Sequence, residues 1–66
     1  MYMEPNEIEE NYLEKTIASG EVMSLSKING LQTGYDVDQW DKSGDNRWHH
    51  WYATYEKAKA EYDRWN

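Results

Sequence analysis

The sequence predicts an α+β fold: an acidic N-terminal helix, a β-hairpin over about 21–28 and 31–37, and a long aromatic helix over about 46–65 packed on the hairpin. Three observations carry this. Trp48, Trp51, Tyr55, Ala58, Tyr62 and Trp65 follow a strict 3-4 rhythm, which draws one stripe down a helix face. Asn29-Gly30, flanked by Ile28 and Leu31, is a strong local hairpin signal, because both central residues of a type I′ turn take positive φ. Beyond Val37 the chain contains no Leu, Ile, Val or Met, so aromatic side chains have to supply that half of the core.

The first element rests on Asn6 and Glu9, which have the spacing of a capping box, with Pro5 just before it. From there Glu-rich, helix-favouring sequence runs to Ser19 and meets Gly20, a residue suited to a left-handed C-cap. Its stripe of Ile8, Tyr12, Leu13 and Ile17 is broad and irregular. Residues 1–5 are expected to be flexible. Ser19-Gly20 can equally turn a hairpin that pairs Ile17 with Val22 and Leu13 with Ser26, giving a three-stranded meander plus the C-terminal helix. Both alternatives stand at this point.

A two-residue Asn-Gly loop sets the hairpin register, with Ile28 facing Leu31, Ser26 facing Thr33, Ser24 facing Tyr35 and Val22 facing Val37. That register predicts that Trp51, Tyr55 and Tyr62 pack on Val22, Ser24, Ile28, Leu31 and Tyr35, indoles against small residues. Trp40 to Asp45 reads as a loop, with Ser43 or Asp45 capping the helix that follows. A helix over 46–65 would be about 30 Å long, more than a hairpin covers. Its distal end, around Tyr62 and Trp65, is therefore an expected homodimer contact.

Sixty-six residues make one domain, 1–66, near the size at which a single core only just offsets chain entropy. Cysteine is absent, so no disulfide framework or thiolate metal site braces the fold. No apolar run approaches the ~20 residues that span a bilayer. Met1-Tyr2-Met3-Glu4-Pro5 has neither the basic start nor the apolar block of a signal peptide, so a cytoplasmic protein with no membrane association is expected.

Charge is unevenly spread. Residues 1–45 hold ten carboxylates against Lys15, Lys27 and Lys42, a net −7. Residues 46–66 hold four basic against three acidic side chains, a net +1. An acidic body repels phosphate backbones and anionic membranes and favours basic protein surfaces.

Each candidate for chemistry has a plainer explanation. His49-His50 is adjacent rather than three or four apart, and no further His or Cys completes a metal site. A calcium loop counted from Asp41 would put Asn46 where glycine is required and Tyr52 where the bidentate glutamate belongs. Ser, His and Asp are all present, but no nucleophile elbow, phosphate loop or dinucleotide fingerprint accompanies them. Arg47 to Tyr52 interleaves basic and aromatic groups as single-strand binders do, yet the surrounding charge opposes a polyanion. No catalytic residue, metal or cofactor is expected.

The functional expectation is a non-catalytic protein-binding module whose acidic face, Glu7, Glu9, Glu10, Glu14, Asp36 and Asp38, meets a basic partner, while Trp48, Trp51, Tyr55, Tyr62 and Trp65 form an aromatic core or interaction stripe. In general character such a chain resembles the small DNA-mimicking inhibitors of phages and mobile elements, which occupy a host protein's basic nucleic-acid groove in the host cytoplasm. A self-assembling homodimer and a small carbohydrate-binding module using surface tryptophans are the other expectations.

Overall fold

The computed structural model describes residues 8–29 and 33–66, the first two of these by backbone alone. Four strands, β1 (Ile8–Thr16), β2 (Val22–Asn29), β3 (Gly34–Trp40) and β4 (Asn46–Tyr52), form an antiparallel sheet in the order β1-β2-β3-β4. One helix, α1 (Tyr55–Arg64), follows and packs on β2, β3 and β4. The α+β class holds. The expected N-terminal helix does not, and the four-stranded meander is closer to the three-stranded alternative.

Two hairpins use the same local chemistry. Between β1 and β2 the Ile17 N–H donates to Glu21 O at 2.9 Å, and Gly20, at φ +93°, donates back to Ile17 O. Between β3 and β4 the Asp41 N–H donates to Asp45 O at 2.9 Å, and Gly44, at φ +90°, donates to Asp41 O. Each is a three-residue loop whose last position takes positive φ, which only glycine adopts cheaply. Gly20 is thus a hairpin residue and not a helix C-cap. Asp41 braces its loop by accepting from the Ser43 and Asp45 N–H groups, both at 2.9 Å. Ser43 and Asp45 therefore belong to a turn and cap no helix.

β1 displaces the expected helix because its residues complete the sheet. Leu13 pairs with Leu25 and Thr16 with Val22, each offset by one from the sequence-based pairing, and a bulge at Tyr12 turns both Tyr12 and Leu13 toward the helix side. Ladder bonds and the burial of Leu13 outweigh the helix propensity of the glutamates. The capping-box residue Asn6, residues 1–5 with their expected flexibility, and Gly30 and Leu31 of the expected turn lie outside the described residues.

The central hairpin is also displaced. Ile28 pairs with Gly34, Ser24 with Asp38 and Val22 with Trp40, three residues away from the expected register. An odd shift reverses which residues share a face. Met23 and Leu25 now lie with Val37 on the helix side, all three fully buried, whereas Val22, Ser24, Ser26 and Ile28 lie on the other side. Burying a Leu or Met side chain contributes about 1.5–3 kcal/mol, so the register that buries both against α1 wins.

The long helix over 46–65 is in fact β4 plus α1. Thr54 caps α1, its Oγ1 accepting from the Lys57 N–H at 3.3 Å. Ala58 and Tyr62, one turn apart, press on Ile17, Met23, Leu25 and Val37. Lys15 lies over the Tyr62 ring, 4.4 Å from its centroid. Tyr55 does meet Tyr35 as expected, edge-on at 5.7 Å, but Trp51 faces away from the helix. No helix among the described residues is long and apolar enough to cross a membrane.

Candidate functional site

Among the described residues α1 covers only one side of the sheet, and strand pairing fixes what the other, open side presents. Three rows run across the four strands. Thr16, Val22, Trp40 and Asn46 form the first; Glu14, Ser24, Asp38 and His49 the second; Asn11, Ser26, Asp36 and Trp51 the third. Alternation then places Lys27 beside Tyr35, on the helix side. Arg47 sits in the bulge of β4 and lies 3.8 Å from Asp41. Among the described residues these rows contain three carboxylates and two tryptophans, with no Lys or Arg.

The floor of this face is made of small polar residues, and the tryptophans enclose it. Ser24, Ser26 and Asp38 are all less than a tenth exposed although no helix covers them. The Trp40 indole N–H donates to Ser24 Oγ at 3.0 Å, which pins the ring across β2. Trp51 lies over Gly34 so closely that a Cβ there would overlap its indole; glycine is what lets the ring settle on the backbone. Asn46 Nδ2 donates to Asp38 Oδ1 at 3.4 Å.

Trp40 separates two open cavities. One, of about 330 Å³, is lined by Asn11, Glu14, Ser24, Ser26 and Trp40. The other, of about 250 Å³, is lined by Asp36, Asp38, Trp40, Asn46 and His49. Both sit near or below the ~300–1,000 Å³ of pockets that enclose a whole small molecule.

Ser24, Asp38 and His49 share one row but are in the wrong order for nucleophilic catalysis. Asp38 on β3 separates Ser24 on β2 from His49 on β4. Two strand spacings are about 10 Å, too far for a histidine to take the serine proton directly. His49 and His50 point to opposite faces, and His50 belongs to the helix side, where its ring stands 4.6 Å from Tyr52. Among the described residues no three His, Asp or Glu side chains are gathered to hold a metal.

The expected acidic face is only partly assembled. Glu14, Asp36 and Asp38 come together on the open side, with Asp38 buried and Asp36 half-buried. Glu10 pairs with Lys27 and falls on the helix side. Glu7 and the Glu9 side chain lie outside the described residues. The aromatic stripe divides as well. Tyr62 is in the core, Trp48 lies tilted against Trp65 on the helix side with 5.4 Å between ring centroids, Tyr55 is partly exposed, and Trp51 belongs to the open face. Asn11 and Asn46 were not singled out from the sequence, Trp40 only as a surface tryptophan suited to a sugar, and His49 only as a rejected metal ligand. Period-2 alternation around Asp36 and Asp38 points to Trp40, whereas His49 and Asn46 become visible only once 46–52 is read as a strand.

Two tyrosines on the helix side are held above their ordinary pKa. Burial raises Tyr62, with Asp63 and Glu14 adding to the shift and Lys59 opposing it. Burial also raises Tyr52, reinforced by Glu61 and opposed by Arg64. No family model matches the chain, and neither a curated protein nor a solved structure matches it.

Proposed function

We propose that this protein is a non-catalytic binding module whose open sheet face receives a basic protein surface. One observation carries the reading: α1 closes one side of the sheet, while the other presents Glu14, Asp36 and Asp38 between Trp40 and Trp51, with no Lys or Arg in its rows among the described residues. Such a face attracts cations and offers indoles to hold them. The sharper form of the proposal is an inhibitor that occupies the basic groove of a nucleic-acid-binding protein. The homodimer reading loses its motive, since α1 is ten residues long and no 30 Å helix overhangs the sheet.

A binding titration with octa-arginine tests the location of the charge. The parent should bind, and binding should weaken steeply with salt. Neutralising the open face with Glu14→Gln, Asp36→Asn and Asp38→Asn should abolish binding, whereas the same change in net charge at Asp45, Glu56 and Asp63 should leave most of it. Equal losses in the two variants would mean that the bulk acidity of the chain, and not this face, attracts the probe. Two tryptophans beside Ser, Asp, Asn and His also favour a neutral sugar as a second reading, and a neutral oligosaccharide in the same titration separates the two.

A further inference from the structure

The cavity of about 330 Å³ over β1 and β2 is complete without Asp36 or Asp38: Asn11 and Glu14 come from β1, Ser24 and Ser26 from β2, and Trp40 reaches over from β3. Glu14 is exposed, and among the described residues no hydrogen bond or ion pair occupies its carboxylate. The two serines are nearly buried and form the floor. The aromatic wall is held in place, because the Trp40 indole N–H donates to Ser24 Oγ at 3.0 Å.

That bond also uses the only donor the indole has. Every other polar group lining the cavity can accept: Glu14 through its carboxylate, Asn11 through its amide oxygen, and the serines through their hydroxyls. Among the described residues no cationic side chain lines it. An acceptor-rich cavity with one uncompensated negative charge and one flat aromatic wall calls for a flat cation that only donates.

We infer that this cavity seats a single arginine guanidinium of a partner protein. The inference rests on the binding-face reading above and names the group that the face grips. A guanidinium carries five N–H donors in one plane and no acceptor. Its plane stacks on the Trp40 indole while its edge forks to the Glu14 carboxylate. Lysine brings a strongly hydrated point charge with no plane to stack, and so gains less from the ring. An anion is repelled by Glu14, and a neutral ligand leaves that charge uncompensated. The volume lies at the lower end of the ~300–1,000 Å³ that encloses a whole small molecule, which suits one side-chain head group whose stem leaves toward solvent.

Single residues with acetylated and amidated ends isolate the head group: arginine, lysine, and citrulline, whose urea keeps the planar shape of arginine without its charge. Each is titrated into the full chain while NMR follows the Trp40 indole N–H and the Ser24 and Ser26 amides. Arginine should bind about tenfold tighter than citrulline, the difference between a charged and a neutral hydrogen bond. It should bind about threefold tighter than lysine, the scale of a cation–π contact at an exposed site. Glu14→Gln, at an exposed position that does not endanger the fold, should bring arginine down to the affinity of citrulline. Glu10→Gln removes the same charge from the helix side and should leave arginine binding within twofold of the parent. Equal binding of the three residues, or an arginine preference that survives Glu14→Gln, would overturn the arginine seat, and salt-sensitive binding of octa-arginine by the same sample would leave the binding-face reading standing. Binding of neither arginine nor octa-arginine would overturn both.

Discussion

Replacing Leu25 by alanine tests the register on which the binding face depends. Leu25 is fully buried, lying between Leu13 and Val37 in its row and beneath α1. Truncating such a leucine costs about 2–5 kcal/mol, because the removed methyl groups lose their transfer energy and the surrounding core collapses only in part. A chain of this length has roughly 0.05–0.15 kcal/mol of stability per residue, or about 3–10 kcal/mol in all. We expect a loss of about 3 kcal/mol. At about 4–8 °C per kcal/mol for a domain of this size, the melting temperature should fall by about 12–24 °C. Val22→Ala is the internal comparison, since Val22 is half-buried on the open side and should cost about 1 kcal/mol or less. Thermal and urea unfolding followed by far-UV circular dichroism and tryptophan emission measures both. The register suggested by the Asn-Gly pair instead turns Val22 toward the helix and Leu25 away from it. If Val22→Ala destabilises as much as Leu25→Ala, the face assignment is wrong and the binding face goes with it.

Two further outcomes follow from the helix side and the open side. The Tyr62 and Tyr52 hydroxyls are raised above the ordinary tyrosine value of 10.0 by burial, so the unfolded chain loses these protons first as pH rises. The stability they contribute is whole below about pH 10 and is lost as pH climbs through the raised folded values; melting temperature should fall over that window, and less steeply in Tyr62→Phe, an unchanged slope counting against the assignment. Gly34→Ala should push the Trp51 indole off the backbone. Because Trp51 is 37% exposed and has room to yield, the change should appear as a red shift in emission with a stability loss of about 1 kcal/mol, typical of a modest overpacking adjustment, and a silent emission spectrum would contradict the contact.

The physical reasons for the sequence reading's successes and failures are local. Tyr55, Ala58 and Tyr62 do lie along one helix, and Thr54 was present to mark its start, but the 3-4 rhythm continued back through Trp51 and Trp48 by coincidence. In a strand those two residues point to opposite faces, and the aromatic content of Arg47–Tyr52 suits a strand at least as well. Val22–Asn29 was harder to read, because both alternations carry apolar side chains, Met23 and Leu25 on one and Val22 and Ile28 on the other. Only the connection to β3 decides between them, and that connection is longer than the Asn-Gly pair implied. The acidic residues of β3 were therefore legible as a cluster, while their neighbours Trp40 and His49 depended on pairings that no local pattern specifies.

The meander order also bears on how the chain assembles. Each strand pairs with the one just before it, and two of the three connections close loops of three residues, so the sheet can form by successive short-range zipping at small entropic cost. The helix comes after all four strands in the chain. During vectorial synthesis the apolar side of a finished sheet, with Met23, Leu25 and Val37 uncovered, waits for Ala58 and Tyr62 to arrive. Exposed apolar surface in such an intermediate invites aggregation, and the bulged, charge-bearing edge at β1 gives a half-built sheet of this protein a poor template for pairing with its neighbours.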